Sequence, residues 1–330
     1  MDRVDAPARV EDLFANLRLP LVAAPMFLVT GPKLVIEACK AGIVGVATAS
    51  WSRSPEEYDE WLHEITDELA AWSKKTGKTP GPLLANFGAR PAPPGQTPRW
   101  VRDLEFVRKH GIKVVITVSG LPDEIVKHVH GWGGLVFHDV TTMYHAEKAI
   151  EAGVDGLVAI SGGGGGHAGI LNPFAFIPQL RRIFDKTIIL GGSMTTGSNI
   201  RAAQMLGADL CYMGTRFIAT QESQAPQGYK DMLVRSKASD VIYTPAFNKV
   251  NCNLLKPSIK ESGFDLDKLT YEETSKNPNF PNKKMWRDLW AGGHGIGLID
   301  DVPSVAELVD RLEREYQEAV NRRIPTGYGH

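Results

Sequence analysis

Five consecutive glycines run into a histidine in Ser161-Gly162-Gly163-Gly164-Gly165-Gly166-His167-Ala168-Gly169. Ordering each glycine costs on the order of several tenths of a kcal/mol relative to alanine. A chain tolerates that where backbone must lie flat against a ligand or must move. The run lacks the Gly-Lys-Ser/Thr ending of a P-loop and the spaced glycines of a dinucleotide fingerprint. His167 closes it, and an imidazole there can act as acid, base or anion partner near neutral pH. The competing role for a lone histidine is a surface or structural one.

Two further turns could hold a phosphate: Gly191-Gly192-Ser193 and, about 20 residues on, Met213-Gly214-Thr215-Arg216. Glycines let backbone N–H groups approach an anion, a helix N-terminus favours it, and Thr215 adds a hydroxyl. The alternative is that these glycines only make tight turns. Ala24-Pro25-Met26 could lay backbone and a soft thioether against a planar ring, or simply be core plus a turn. Asn86, polar in the apolar run LLANFG, needs partners if buried, and a ring carbonyl or nitrogen would serve. Ser119-Gly120 could form a turn against the same ligand. Phe27, His138 and His294 are candidate substrate contacts, with a supporting role at least as fitting for His138, beside Asp139, and a structural loop as the alternative for His294. Trp286 and Trp290 read as core or lid packing. His128, His130, His138 and His145 lack a metal-binding spacing, so no metal is expected.

The elements that must position these residues alternate regularly. Apolar runs at 19–26, 43–49, 81–88, 113–120, 135–140, 156–162, 187–193 and 210–215 read as strands buried on both faces. Helical stretches separate them, several stopped by Gly42, Gly111, Gly153 or Gly207 just before the next strand. Strict βα alternation implies an α/β fold, and eight strands favour a closed (β/α)8 TIM barrel, in which the loops after strands seven and eight often bind phosphate. We expect the barrel over 1–223, a small irregular lid or substrate subdomain over 224–295, and a C-terminal segment over 296–330 whose amphipathic helix (304–323) returns to the barrel.

Composition narrows the partners. Hydrophobic residues make up 43% and charged residues 23% of 330, with a net charge of −1, the balance of a globular protein with no field toward nucleic acid or anionic membrane. The three cysteines, Cys39, Cys211 and Cys252, have neither disulfide-framework nor zinc spacing and read as reduced thiols. The opening MDRVDAPARVEDLF has no apolar h-region, and no run long enough to span a membrane occurs. A cytoplasmic protein acting on a small molecule is the expectation.

Taken together, these segments resemble the nitronate monooxygenase family, formerly called 2-nitropropane dioxygenases, from about residue 12 to 315. AAPM matches the family's opening APM, LLANFG its Val-Asn strand, GGGGGHAG its EAGGH-x-G, and LWAGGHGIG its late AGQ-x-VG. The stretch GGSMTTGSNIRAAQMLGADLCYMGTRF follows its phosphate-binding pattern. The resemblance implies FMN held by Pro25, Met26, Asn86, Gly165, Gly166, Gly191, Gly192, Met213, Gly214 and Thr215; Ala24, Ser119, Ser161 and Tyr212 are further candidate cofactor contacts. It implies His167 as the active-site histidine, and oxidation of alkyl nitronates, or of nitroalkanes, by O2 to a carbonyl compound and nitrite. Departures touch the pocket: Gly163-Gly164 replace Glu-Ala, Ile160 and Tyr212 replace glutamines, and the late glutamine aligns with Gly293 or His294. The alternative on the same fold is an NAD(P)H-dependent flavin reductase acting on quinones or enoyl thioesters. A flavin-free phosphate-binding barrel isomerase or lyase and a ligand-binding regulator are the remaining rivals.

Overall fold

The structure, a computed structural model, describes residues 9–322. The first eight residues, in the opening segment expected to lack an apolar h-region, and the last residue of the expected helix, Arg323, lie outside that range.

Strands β1 (Leu21–Ala23), β2 (Gly45–Thr48), β3 (Leu83–Gly88), β4 (Val114–Val118), β5 (Leu135–Val140) and β6 (Gly156–Ile160) are followed by a two-residue strand, β7 (Gly166–His167). Then come β8 (Thr187–Gly191) and β9 (Leu210–Met213). The eight strands other than β7 form one parallel sheet in the order β1-β9-β8-β6-β5-β4-β3-β2. A parallel bridge between Val22 and Val44 joins its ends, with Ala23 N–H donating to Val44 O (2.9 Å) and Val44 N–H to Leu21 O (3.0 Å). The result is a (β/α)8 barrel.

Helix α1 (Val10–Phe14) lies under the barrel, where Val10, Leu13 and Phe14 pack on its interior cluster. Helices α2 (Pro32–Lys40), α3 (Pro55–Thr76), α4 (Arg99–Lys109), α5 (Asp123–His130), α6 (Met143–Glu151), α7 (Pro173–Ile183) and α8 (Gly197–Leu206) alternate with the strands. Local chemistry sets their ends. In α3, Pro55 pre-sets the first turn, the Ser54 hydroxyl accepts from Glu57 N–H, and Gly77 closes the helix at φ 69°.

After β9 come α9 (Thr215–Ile218), α10 (Gln227–Arg235), β10 (Val241–Thr244), β11 (Cys252–Leu255), α11 (Lys256–Glu261), α12 (Tyr271–Lys276) and α13 (Val305–Asn321). The region expected to be irregular therefore carries a hairpin, β10–β11, and its own apolar cluster around Phe247, Leu254, Ile259 and Phe264. Strand β11 also pairs antiparallel with β7, Cys252 opposite His167 and Asn253 opposite Gly166. This pairing stitches the lid to the glycine run. Helix α13 packs against α8, so closely that a Cβ on Gly197 would strike the backbone of Leu312 and Tyr316. All three cysteines are buried and unpaired. Among the described residues no helix is long and apolar enough to cross a membrane.

Candidate active site

Alternation along each strand sends one residue in two into the barrel. The interior cluster comprises Val22, Val44, Val46, Leu84, Val114, Ile116, Phe137, Val158, Ile189 and Leu210, with Ala24 and Tyr212 above. Stepping two residues up from those positions gives Ala24, Thr48, Asn86, Val118, Asp139, Ile160, Gly191 and Tyr212. All eight line one cavity of about 400 Å³ at the C-terminal end of the barrel, the end where barrel enzymes carry their chemistry. The lower layers are apolar and close the barrel. The top layer introduces a threonine, an asparagine, an aspartate and a tyrosine.

Glycine turns wall this cavity. Gly163 to Gly166, Gly191, Gly192, Ser193, Gly214 and Thr215 all border it. The run is glycine because other backbone presses on it. A Cβ on Gly165 would come within 2.9 Å of Thr215 Oγ1 and 3.0 Å of Gly293 N, while Gly163 and Gly166 adopt φ of +84° and +75°. Cross-links fix the contact: Gly293 N–H donates to Thr215 Oγ1 (3.0 Å), His294 N–H to Gly163 O (2.9 Å), and Asn253 Nδ2 to Gly164 O (2.7 Å). Behind Thr215, the buried Arg216 guanidinium meets Asp301 Oδ1 at 2.7 Å, and Arg311 binds the same carboxylate. Burial lowers the Arg216 pKa and Asp301 opposes that shift, so the charge is held and anchors the turn.

His167 stands on the lid side. Its ring meets Trp286 edge-on, centroids 5.2 Å apart, and its Nε2 lies 3.1 Å from Asn248 Nδ2. The ring is exposed toward the cavity, yet its pKa is lowered, first by the crowding of its surroundings and then by the charge of Arg90. Asp139 is the other perturbed group. Burial raises its carboxyl to about 8, and Oδ1 has no hydrogen-bond partner among the described residues. Burial and the nearby Asp139 push the Tyr212 phenol well upward. Among the described residues, five non-glycine residues adopt left-handed φ: Leu28, Ser119, Ser193, Lys249 and Trp286. Ser119, Ser193 and Trp286 line the cavity, and Leu28 and Lys249 adjoin Phe27 and Asn248. Backbone strain gathered around one cavity is a mark of a functional site.

The structure brings most of the predicted residues together. Ala24, Pro25, Met26, Phe27, Asn86, Ser119, Gly165, Gly166, His167, Gly191, Gly192, Tyr212, Gly214 and Thr215 line the cavity. Asn86 already has protein partners, accepting from Thr48 Oγ1 (3.2 Å) and donating to Ile116 O (3.1 Å), and each end of its amide retains capacity for one more.

Four of the predicted residues do not line the cavity. His138 does not reach the cavity: it lies on the outward face of β5, buried against the helix layer with its Nδ1 2.7 Å from Thr117 Oγ1, and burial lowers its pKa to about 4. Met213 likewise points outward into the core between strands and helices. Ser161, one step past the inward Ile160, donates to Gly191 O (2.8 Å) and ties β6 to β8. The His294 side chain is exposed, and Gly293 takes the lining position. Sequence reasoning under-rated Asp139 and Trp286 and missed Thr48, Asn248 and Tyr229. The signal for Asp139 was the register of β5, since Phe137 inside implies Asp139 inside. For Asn248 no sequence signal existed.

Barrel, mouth cavity and a histidine beside glycine turns define a TIM barrel with an enzyme-like site at its C-terminal mouth. The chain belongs to the nitronate monooxygenase family, whose sequence profile matches residues 52–315, a family of flavin-dependent enzymes. It is 24% identical to a nitronate monooxygenase of Neurospora crassa, covering 96% of this chain and 94% of that protein. It is 26% identical to a protein of Rhodococcus jostii named (3aS,4S,5R,7aS)-5-hydroxy-7a-methyl-1-oxo-octahydro-1H-indene-4-carboxyl-CoA dehydrogenase, covering 89% and 91%. In fold it is similar to FabK from Thermotoga maritima (TM-score 0.75, 23% identity, 96% and 97% covered). It is equally similar to a nitroalkane oxidase from Streptomyces ansochromogenes (TM-score 0.75, 22% identity, 95% and 99% covered).

Proposed function

We propose that the protein holds FMN in the mouth cavity and oxidises an alkyl nitronate with O2 to a carbonyl compound and nitrite. The observation that carries this reading is that the glycine turns after β8 and β9 and His167 border the same cavity. The residues fit a flavin. Asp139 Oδ1 is a buried polar atom lacking a partner among the described residues, and a ring edge would supply one.

The turns at Gly191–Ser193 and Gly214–Thr215 would hold the phosphate, and Ala24–Met26, Asn86, Ser119, Gly165, Gly166 and Tyr212 the ring system. When bound, FMN supplies the redox chemistry, accepting electrons from the nitronate and delivering them to O2. Asp139, protonated at neutral pH, presents a neutral hydrogen-bond donor to the cavity floor. Trp286 and His167 bound the side from which a small anion enters, and the nearby positive charge of Arg90 favours it.

The test is a visible spectrum of the purified protein, followed by anaerobic mixing with propionate-3-nitronate, NADH and NADPH in separate cuvettes. Bleaching of the flavin by the nitronate, and nitrite formation on admitting air, is the expected result. A second reading is favoured by the Rhodococcus relative: an NAD(P)H-linked flavin oxidoreductase acting on a thioester. Bleaching by NADH or NADPH and not by the nitronate would select it. A colourless protein that takes up no FMN would reject both.

A further inference from the structure

Asn248 lies 81 residues from His167 in sequence and 3.1 Å from it in space. It sits in the turn joining β10 to β11, and β11 pairs with the strand that carries His167. The turn is tightly specified. Lys249 N–H donates to Pro245 O (2.9 Å), Lys249 adopts φ 63°, and its Nζ lies 4.5 Å from the centre of the Tyr271 ring.

The orientation of the Asn248 amide is settled by a third group. Val250 N–H donates to Asn248 Oδ1 at 3.0 Å, and a backbone N–H can only donate. Turning the amide over would set its NH2 against that N–H, donor against donor. Nδ2 therefore faces His167 and donates to Nε2. An Nε2 that accepts carries no proton, which leaves the proton of the neutral ring on Nδ1. Protonating Nε2 would oppose two donors, so this contact acts in the same direction as the burial and the Arg90 charge that lower the His167 pKa.

We infer that Asn248 is a positioning residue that holds His167 as the neutral tautomer protonated on Nδ1, so that the imidazole meets an anionic ligand as a hydrogen-bond donor and not as a base. The basic nitrogen, Nε2, is occupied by the lid. This rests on the nitronate reading and deepens it: the substrate must arrive already ionised, because His167 has no lone pair turned to a C–H bond of a neutral nitroalkane.

Nuclear magnetic resonance of FMN-loaded protein labelled with 15N-histidine reads the tautomer directly. The His167 signals, assigned by their loss in His167→Asn, are expected to show a protonated Nδ1 and an unprotonated Nε2 near neutral pH. Asn248→Asp keeps an oxygen for Val250 N–H and puts a second oxygen against Nε2, so the proton moves to Nε2 and Nδ1 becomes the free base. In that variant kcat/KM for propionate-3-nitronate is expected to fall about 10- to 100-fold, the size of effect seen when a partner orienting a metal-bound histidine is removed. The relative use of the neutral nitroalkane is expected to rise. Asn248→Ala, which removes both the donor to Nε2 and the acceptor for Val250 N–H, is expected to give a mixture of both tautomers.

A native His167 protonated on Nε2, or a tautomer unchanged in Asn248→Asp, overturns the inference. So does equal turnover of nitroalkane and nitronate by the native enzyme. The predicted tautomer in a protein that consumes no nitronate supports the role of Asn248 and rejects the nitronate reading, so the two failures are distinguishable.

Discussion

Replacing Asp139 by Asn should stabilise the cofactor-free protein, and by more the higher the pH. In the fold the carboxyl titrates at about 8, against 3.8 for the free side chain, because burial disfavours its charge. The sign follows from proton counting. Between 3.8 and about 8 the folded chain keeps a proton that the unfolded chain has lost, so unfolding releases it. Stability must fall as pH rises through that window and level off above it.

The slope is about 1.4 kcal/mol per pH unit at full effect, so about 3 kcal/mol is lost between about pH 5 and about pH 7.5. The carboxyl borders an open cavity, and water there reduces the effect to roughly half, about 1.5 kcal/mol. Asparagine has nearly the same shape and does not ionise. Urea unfolding of both proteins across this range should give midpoints that diverge as pH rises, with Asp139→Asn the more stable. Parallel curves would refute the argument and place Asp139 in solvent.

Three further outcomes follow from the site. His167→Asn should keep the bound-flavin spectrum while lowering kcat/KM for the nitronate by about 10²- to 10³-fold, the effect of losing one donor to an anion; unchanged turnover would remove His167 from the chemistry. Gly163→Ala forces a Cβ at φ +84° onto Ser193 Oγ and the His294 ring, at a cost of about 1–3 kcal/mol, and should lower the melting temperature by several degrees and weaken flavin retention. His138→Gln should leave kcat/KM unchanged, since His138 faces the helix layer. The native His138, with its pKa lowered to about 4, stays neutral in the fold where the unfolded chain protonates below 6.5. Stability should therefore fall as pH drops from 6.5 toward 4, and the variant should lose that acid-side slope.

Much of the barrel was legible in the chain. Eight apolar runs separated by glycine-stopped helical stretches admit few architectures, because each run must be buried on both faces. The glycine turns after β6, β8 and β9 were equally visible, since glycine is costly unless backbone conformation or close approach demands it. Those turns placed the cavity at the right end of the right fold. The lid's hairpin was not visible: β10 and β11 are short, their surroundings polar, and their pairing partner β7 is two residues of the glycine run.

The sequence by itself determined the strand and turn order, the cavity-facing glycines and the histidine that follows them. Tertiary structure decided which face each polar residue takes. A strand apolar on both sides carries no alternation to read, so His138 and Asp139 are equivalent on paper, and only the packing of Phe137 inside the barrel turns Asp139 inward. Tertiary structure also decided the state of His167. Its partner Asn248 comes from a distant hairpin, and the orientation of that amide is set by the N–H of Val250. A hydrogen bond between segments 81 residues apart leaves no local periodicity or spacing, because it exists only once the lid strand has paired with the strand that bears the histidine.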